Sequence, residues 1–600
     1  MTLKKIFRTA FPTSLWGGDK GCLWGLTLLT LLWFNFAWCL ESSFNGWSTR
    51  EFWSYNLSVA TVLSMPIMLW QTRRWQAAII TLLSVLCEVN LMYSRTYFAA
   101  IPARSYLLAG NMADYSASAM QTLQWYDVGF LILTGMAWWL ALRHAKSEQT
   151  SNTKPPKQVY FSYLIVLFMF SWIWDTVSPG YVKAFRQHAD YKYYSQRIPM
   201  YTIFGWLTYD ILATQNPLTT QDRQLVSSWL DEHKRLYPVP AVDTTRIYPH
   251  SVVLVYVESL ETWPLELSVE GKEITPRLNR LLQDTTATYI PNVVTQTGPG
   301  RSIDTQLLEN TGLLPMSTRV WATDRPLNKY YSVNQALAES NNADSWYLTT
   351  AKPSNWNQGA TSQTLGYKHR HFKNDWKPGP TFGANHKRLG DKPLIEQTVA
   401  LMQNGEVLPE GSPGFVHLIT MTSHHPFMLP AQYDNLKLQG TYPEILKGYL
   451  ETIHYTDAAI GQLIDYLQTR SDYKDILVVI TGDHEGLANN REPIARQFSW
   501  VSDERLTPWI ALNSPYPGKI NKYVGQIDLY TTMLQLLGLN DYVWQGMGVS
   551  ALHPRHPGVA ISGQGNVSGP IEKLSSAEAK HLQDATQVST LIVQHNLLQK

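Results

Sequence analysis

Up to about residue 180, apolar residues come in long runs with few charges. Beyond it they come in short bursts separated by polar stretches. Five early segments, at 22–40, 55–71, 75–93, 126–143 and 159–177, approach the roughly 20 apolar residues that a helix needs to cross a bilayer. The first is too long, and too poorly followed by a small-residue cleavage site, for a removable signal, so it is expected to be an uncleaved anchor. Lys4, Lys5 and Arg8 precede the first segment, Arg73 and Arg74 lie between the second and third, and Arg143, Lys146, Lys154 and Lys157 lie between the fourth and fifth. Basic loops stay cytoplasmic, so five spans place the amino terminus inside and everything after about 178 outside. Trp125, Tyr126, Trp172 and Trp174 suit the interfacial belt, and residues 94–124 read as an outer connector.

From about 179 to 248 the pattern changes to helical spacing, as in "TQDRQLVSSWLDEHKRLY", and predicts a structured linker. From 249 the runs "SVVLVYVES", "SWYLTT", "GFVHLITMTSH", "DILVVITGDH" and "PWIALNS" alternate with helical or loop segments. Continuous apolar strands of this kind predict an α/β domain with a mostly parallel central sheet covered on both faces, over about 249–555. Residues 556–600 read as a surface tail of helical character. The expected order is thus a five-helix transmembrane domain (1–178), a helical linker (179–248), an α/β domain and a tail.

The net charge of +2 supplies no broad basic field for nucleic acid. Cys22, Cys39 and Cys87 all fall in the apolar part, which leaves the later domain without a disulfide, a cysteine nucleophile or a thiolate metal site. Glu88 is the main ionisable residue inside the apolar segments, too little to suggest a transport path.

Ligands of parallel sheets bind beyond the carboxyl ends of the strands. The residues there are Glu258, His424 with His425, and Asp483 with His484. Carboxylates, imidazole and a hydroxyl oxygen suit a divalent ion such as Mn2+, Mg2+ or Zn2+. Each also has a structural reading: a capping Glu, a polar turn in "GDHEG", a loop opened by Pro426. Ser302, in "TGPGRSID", fits as a cap of the helix that follows, with Asp304 and Glu309 as ordinary early-helix acids. The two roles are compatible, because a helix amino terminus also favours an anion.

Taken in order, "VES" (257–259), "TGPGRSID" (297–304), "TSHHPF" (422–427), "YTDAAIGQLIDYL" (455–467), "TGDHEG" (481–486) and "GQIDLYTTMLQLLGL" (525–539) resemble the alkaline phosphatase superfamily. Within it, the chain resembles the membrane-anchored, sulfatase-like phosphotransferases typified by lipoteichoic acid synthase. The resemblance implies a multi-pass protein of the bacterial cytoplasmic membrane, its α/β domain extracytoplasmic. It implies one divalent ion, Mn2+ first among candidates, on Glu258, Ser302, Asp483 and His484, with Ser302 as nucleophile. Such a metal activates a hydroxyl near neutral pH. His424 and Trp356 would hold the head group. The implied partners are a phospholipid donor and a glycan or lipid-linked acceptor.

Two positions depart from the family. Ser302 stands where the family has Thr, a conservative exchange, and Gln358 stands where it has an Arg, which removes a bidentate phosphate clamp. Arg301 and the "KHRH" stretch at 368–371 are candidates to replace it. Phosphoglycerol is the expected head group. Phosphoethanolamine transfer is the alternative, although enzymes of that kind usually carry ectodomain disulfides. Phosphodiester hydrolysis needs only water as acceptor. Sulfatase chemistry is disfavoured, because Ile303, Asp304, Thr305 and Gln306 do not continue a C/S-x-P-x-R frame. A non-catalytic lipid-binding regulator would be expected to lack ligands that are present here.

Overall fold

The protein, a computed structural model, is described at residues 19–41, 72–97, 122–143 and 217–599, with shorter stretches among 57–106 and 203–207. Within the last range, 317–318, 354, 383–387 and 488–489 are left out. The chain divides into two compact units that part at Asn216 and Pro217.

In the first unit, α1 (Asp19–Glu41), α2 (Arg73–Tyr97) and α3 (Val128–Arg143) pack on one another. Each contains a stretch long and apolar enough to cross a membrane: Gly21–Leu40, Arg73–Arg95 and Trp125–Arg143. Among the described residues three such helices are present where five segments were expected. The segment expected at 55–71 is helical from 59 but ends in the 3-10 turn Met65–Leu69, where Pro66 lacks the N–H that an α-helix would use. The segment at 159–177 lies outside the described residues, as does most of the 94–124 connector. Leu82, Leu131 and Trp139 are exposed on the outside of the group. Its interior is mostly apolar but encloses an Arg95–Asp127 ion pair at 2.7 Å, and Gly129 lets α3 approach Trp33 so closely that a Cβ would meet the indole at 2.3 Å.

The second unit is built on a nine-stranded sheet. Its strands are β1 (Ser251–Val257), β2 (Thr288–Val294), β3 (Asp344–Thr349), β4 (His369–His371), β5 (Gly414–Ile419), β6 (Ile476–Gly482), β7 (Leu506–Leu512), β8 (Gly518–Lys519) and β9 (Val524–Gly525). The order across the sheet is β8-β2-β7-β6-β1-β5-β3-β4, with β9 also on β2. The pairs from β6 through β1, β5 and β3 to β4 are parallel, and β7 is antiparallel to both of its neighbours. All seven residues of β1 are buried. Because side chains alternate across a strand, Val252, Leu254 and Tyr256 join one core, and Val253, Val255 and Val257 the other. Full burial of one such side chain stabilises by about 1.5–3 kcal/mol.

Strand β2 was not among the sequence expectations. It contains Pro291, and a proline argues against a central strand. The structure accommodates it at an irregularity opposite β7, where the register shifts between Thr507 and Trp509 around a second proline, Pro508.

Helix α4 (Thr220–Leu236) is the expected linker helix, opened by Thr219 in a capping box with Asp222. It packs on the helix Ser576–His595. The carboxyl-terminal segment is therefore helical as expected, but it is not a surface tail. Its Ala585, Val588, Ile592 and Val593 enter the same core as Val252 and Leu254.

Candidate active site

Sheet register brings the first two ligand candidates together. Val257 of β1 pairs with Gly482 of β6, so Glu258 and Asp483, the next residue on each strand, lie side by side at the carboxyl edge. Neighbouring strands are about 4.8 Å apart. Both residues are buried and held by their backbones. The Glu258 N–H donates to Thr420 Oγ1 (3.0 Å), and Ser423 Oγ donates to the Glu258 carbonyl (2.6 Å). The Asp483 carbonyl accepts from Thr305 Oγ1 (2.5 Å) and Gln526 Nε2 (2.8 Å). Asp483 Oδ1 accepts the Ser259 N–H at 2.7 Å.

Ser302 opens helix α5 (Ser302–Thr311). The turn before it is bound by one buried carboxylate: Asp304 Oδ2 accepts the N–H groups of Gly298 and Gly300, each at 2.9 Å. A Cβ on Gly300 would stand 2.3 Å from Asp304 Oδ1, so the turn needs glycine there. Asp304 and Glu309 are both fully buried, unlike the solvent-facing acids expected of an early helix. Arg301, with φ +52, stores backbone strain at the point where the chain swings Ser302 toward the sheet edge.

The result is a cluster. Ser302 Oγ lies 3.3 Å from Glu258 Oε2 and 3.1 Å from His484 Nε2. His484 Nε2 lies 3.4 Å from Glu258 Oε1 and 3.5 Å from Asp483 Oδ2. Glu258, Asp483 and His484 each present a ligand atom within 4.8 Å of the others. His484 Nδ1 (3.0 Å) and Arg301 Nη2 (2.6 Å) converge on the Glu485 carbonyl. His484 Nδ1 is also 3.0 Å from Arg301 Nη2; the tautomer that donates Nδ1–H to the carbonyl is the one whose Nε2 lone pair faces the cluster, as a metal ligand needs.

Electrostatics give the cluster a reason to hold a cation. Burial, and then the neighbouring Asp483, push the Glu258 carboxyl well above its usual range. Burial and Arg301 hold His484 below the usual imidazole value, so it is neutral. Asp483 Oδ2 is buried and has no hydrogen-bond partner among the described residues. Two adjacent buried carboxylates, one with an orphaned oxygen, beside a neutral imidazole and a hydroxyl, fit a divalent ion.

The remaining candidates are placed differently. The Arg301 guanidinium is engaged by Glu485, at 2.6 Å to Oε1, with exposures of 10% and 0%. Arg505 stands 3.6 Å from the same oxygen. Although burial opposes it, Arg301 and Arg505 hold the Glu485 carboxyl well below its usual range. His424 is half-buried beside the cluster, its Nδ1 2.6 Å from the His425 carbonyl. Burial, Arg388 and, more weakly, His484 press its pKa well down. Trp356 packs against the core, and Gln358 is buried at the start of the short helix that follows it. Their segment leans on the helix Trp321–Asp324, whose Trp321 indole donates to the Ile303 carbonyl at 2.9 Å. In "KHRH", His369 bonds Asp344 at the exposed outer edge of the sheet.

Several residues around the cluster carry no sequence signal of their own. Asp391 accepts the Met421 and Thr422 N–H groups and the Thr456 hydroxyl, which fastens the loop bearing His424. Glu261 takes Arg491 and the Gly486 N–H. Gln526 and Thr305 brace Asp483. Of these, Thr422, Thr456, Gly486 and Gln526 lie within the motifs quoted above.

A largely parallel sheet with a serine-led helix and a carboxylate–imidazole cluster at its strand ends defines the alkaline-phosphatase-like α/β class. Residues 250–539 match the family model for Sulfatase, and residues 19–222 match that for the Lipoteichoic acid synthase N-terminal domain. Residues 250–539 thus form a domain of the sulfatase family, and in both of its parts the chain is similar to the lipoteichoic acid synthases. Among curated relatives, Lipoteichoic acid synthase 2 of Bacillus subtilis (strain 168) is 24% identical over 507 residues, covering 80% of this chain and 75% of its own. Lipoteichoic acid synthase of Staphylococcus aureus (strain USA300) is 23% identical over 497 residues, covering 76% and 72%. The crystal structure of the lipoteichoic acid synthase LtaP from Listeria monocytogenes superposes with a TM-score of 0.50 at 19% identity, over 61% of this chain and 97% of that one, and has the same fold.

Proposed function

We propose that this protein is a metal-dependent phosphotransferase. It takes the head group of a membrane phospholipid, phosphoglycerol, onto Ser302 and passes it to an extracytoplasmic glycan or lipid-linked acceptor. The observation that carries this reading is the position of Ser302 Oγ, at the amino end of a helix and 3.1–3.3 Å from His484 and Glu258. The relatives named lipoteichoic acid synthases support the choice of head group.

In this reading Glu258, Asp483, His484 and Ser302 hold one divalent ion, Mn2+ by preference. When bound, the ion lowers the pKa of the hydroxyl and offsets charge on the phosphoryl oxygens. Ser302 Oγ attacks phosphorus, an Oγ–P bond forms, and the P–O bond to diacylglycerol breaks, its oxygen leaving with a proton. The positive end of α5 faces the adduct. His424, neutral and beside the cluster, contacts the head group with Trp356 and Gln358, and the acceptor hydroxyl then displaces Ser302. Arg301 positions His484 through the Glu485 carbonyl rather than gripping phosphate. The segments at 55–71 and 159–177 complete five spans, and the arrangement of basic residues puts the α/β domain outside the cytoplasm.

The test is mass spectrometry of the full chain in detergent after incubation with Mn2+ and either phosphatidylglycerol or phosphatidylethanolamine. A glycerophosphate adduct on Ser302, absent from Ser302→Ala, is expected. A phosphoethanolamine adduct reassigns the head group. Absence of any adduct and of diacylglycerol, with metal bound, rejects the reading.

A further inference from the structure

Asp391 fastens the loop that bears His424, and the residues just before it bring a further cation to the site. Thr381–Phe382 and Arg388–Leu389 form an antiparallel ribbon, with Phe382 opposite Arg388. The ribbon is held from two sides. Phe382 is buried and packs on the rings of Tyr433 and Tyr455, at 4.9 and 5.1 Å between centroids, and the Gly390 N–H donates to the Pro380 carbonyl at 3.0 Å. Asp391 then accepts the Met421 N–H (2.7 Å) and the Thr456 hydroxyl (2.6 Å), while its own N–H donates to Thr422 Oγ1 (2.9 Å). His424 follows shortly after Thr422, and Ser423 between them donates to the Glu258 carbonyl. Arg388 therefore starts about 10 Å of extended chain from a junction that ties together His424 and Glu258.

Its charge reaches both residues. Burial, and next Arg388, lower the pKa of His424. Burial and then Asp483 raise that of Glu258, and Arg388 opposes them ahead of Arg301. Arg388 is partly exposed, and an exposed charge is screened beyond about 10 Å, so its guanidinium stands beside the cluster on a side that solvent reaches. Arg301 and Arg505 both face Glu485 Oε1, at 2.6 and 3.6 Å. Gln358 carries no charge.

Alkoxide attack on a phosphodiester gathers a second negative charge on its non-bridging oxygens, and a planar guanidinium matches two such oxygens at once. We propose that Arg388 is the phosphate-binding residue of this site, its N–H groups on the non-bridging oxygens of the donor phosphodiester and then of the Ser302 ester. The assignment rests on the phosphotransferase reading above and adds to it a residue from a separate segment of the chain.

The test has a binding arm and a kinetic arm, both on the full chain in detergent. Calorimetry with Mn2+ and methyl phosphate, a phosphoryl group without a head group, reads the grip itself. Arg388→Met is expected to weaken methyl phosphate binding by about 10–100-fold, the loss of hydrogen bonds between charged groups. Arg388→Lys keeps the charge without the fork and should fall between the two. Mn2+ affinity of Arg388→Met should equal or exceed that of the wild type, because a positive charge has left the neighbourhood of Glu258. Diacylglycerol release from phosphatidylglycerol should lose the same factor in kcat/KM. Methyl phosphate binding within about twofold of wild type in Arg388→Met overturns the proposal, and so does absence of binding by the wild type. A parallel fall in Mn2+ affinity also overturns it, making Arg388 a support for Glu258 and the His424 loop. A wild type that binds methyl phosphate through Arg388, yet releases diacylglycerol from no lipid, upholds the phosphate contact and rejects the phospholipid donor.

Discussion

Replacing Arg301 by Met separates two roles that a buried arginine next to a nucleophile can have. Its partner, Glu485, is fully buried at 2.6 Å, and removing the guanidinium leaves that carboxylate with Arg505 at 3.6 Å. Breaking a buried pair costs about 3–5 kcal/mol. With Arg505 still present, the lower end, about 3 kcal/mol, is expected. A unit of roughly 380 residues unfolds with about 0.8 kcal/mol/K of entropy, so calorimetry in EDTA should show the melting temperature fall by about 4 °C. The Glu485 carbonyl also loses its Arg301 donor, and His484 Nδ1 loses a neighbour at 3.0 Å. Loss of such outer support lowers metal affinity by about 10–100-fold, read by Mn2+ titration. Glu485→Gln added to Arg301→Met removes the stranded charge and should restore most of the melting temperature. An unchanged melt and unchanged Mn2+ affinity, with KM for phosphatidylglycerol raised, would refute the positioning role and return Arg301 to the phosphate.

Chelation should destabilise the wild type by about 2.7 kcal/mol relative to metal at 100 times its dissociation constant, and Asp483→Asn should erase that increment; equal melting with and without EDTA rejects the site. Gly482→Ala places a Cβ 1.8 Å from the Leu260 carbonyl, backbone against backbone, one residue before Asp483. It should cost about 3 kcal/mol or more, and a variant with wild-type melting would show that the strand end tolerates movement. Burial lowers His233 and His581, which touch at 3.0 Å, to about 4 each. The unfolded chain binds their protons near pH 6.5, so the stability they contribute is complete above that pH and is lost as pH falls toward 4, by about 3 kcal/mol for each histidine. Urea midpoints of wild type and His581→Phe should converge as pH drops from 7 to 4.5, and parallel curves would count against this linkage.

The cluster residues were legible in the sequence because each ends or follows an apolar run, and the carboxyl edge of a parallel sheet is where such residues meet. Glu258, Asp483 and His484 needed only the strand pattern and the order of the motifs. Ser302 needed its Gly-rich frame. What the sequence left undecided depends on pairings between distant segments. Strand β2 escaped notice because Pro291 is tolerable only opposite the irregularity at Pro508, more than two hundred positions away. Arg301 reads as a phosphate clamp until Glu485 is found against it, and the segment after 556 reads as a tail until its apolar face meets the core beside α4. Asp391 and Gln526 are ordinary polar residues until their hydrogen bonds are counted. Local chemistry and periodicity are written along the chain, and they determine the strands and the residues at their ends. Which buried charge finds which partner is settled only when close packing brings remote residues within hydrogen-bond reach, because desolvation makes each such pairing decisive.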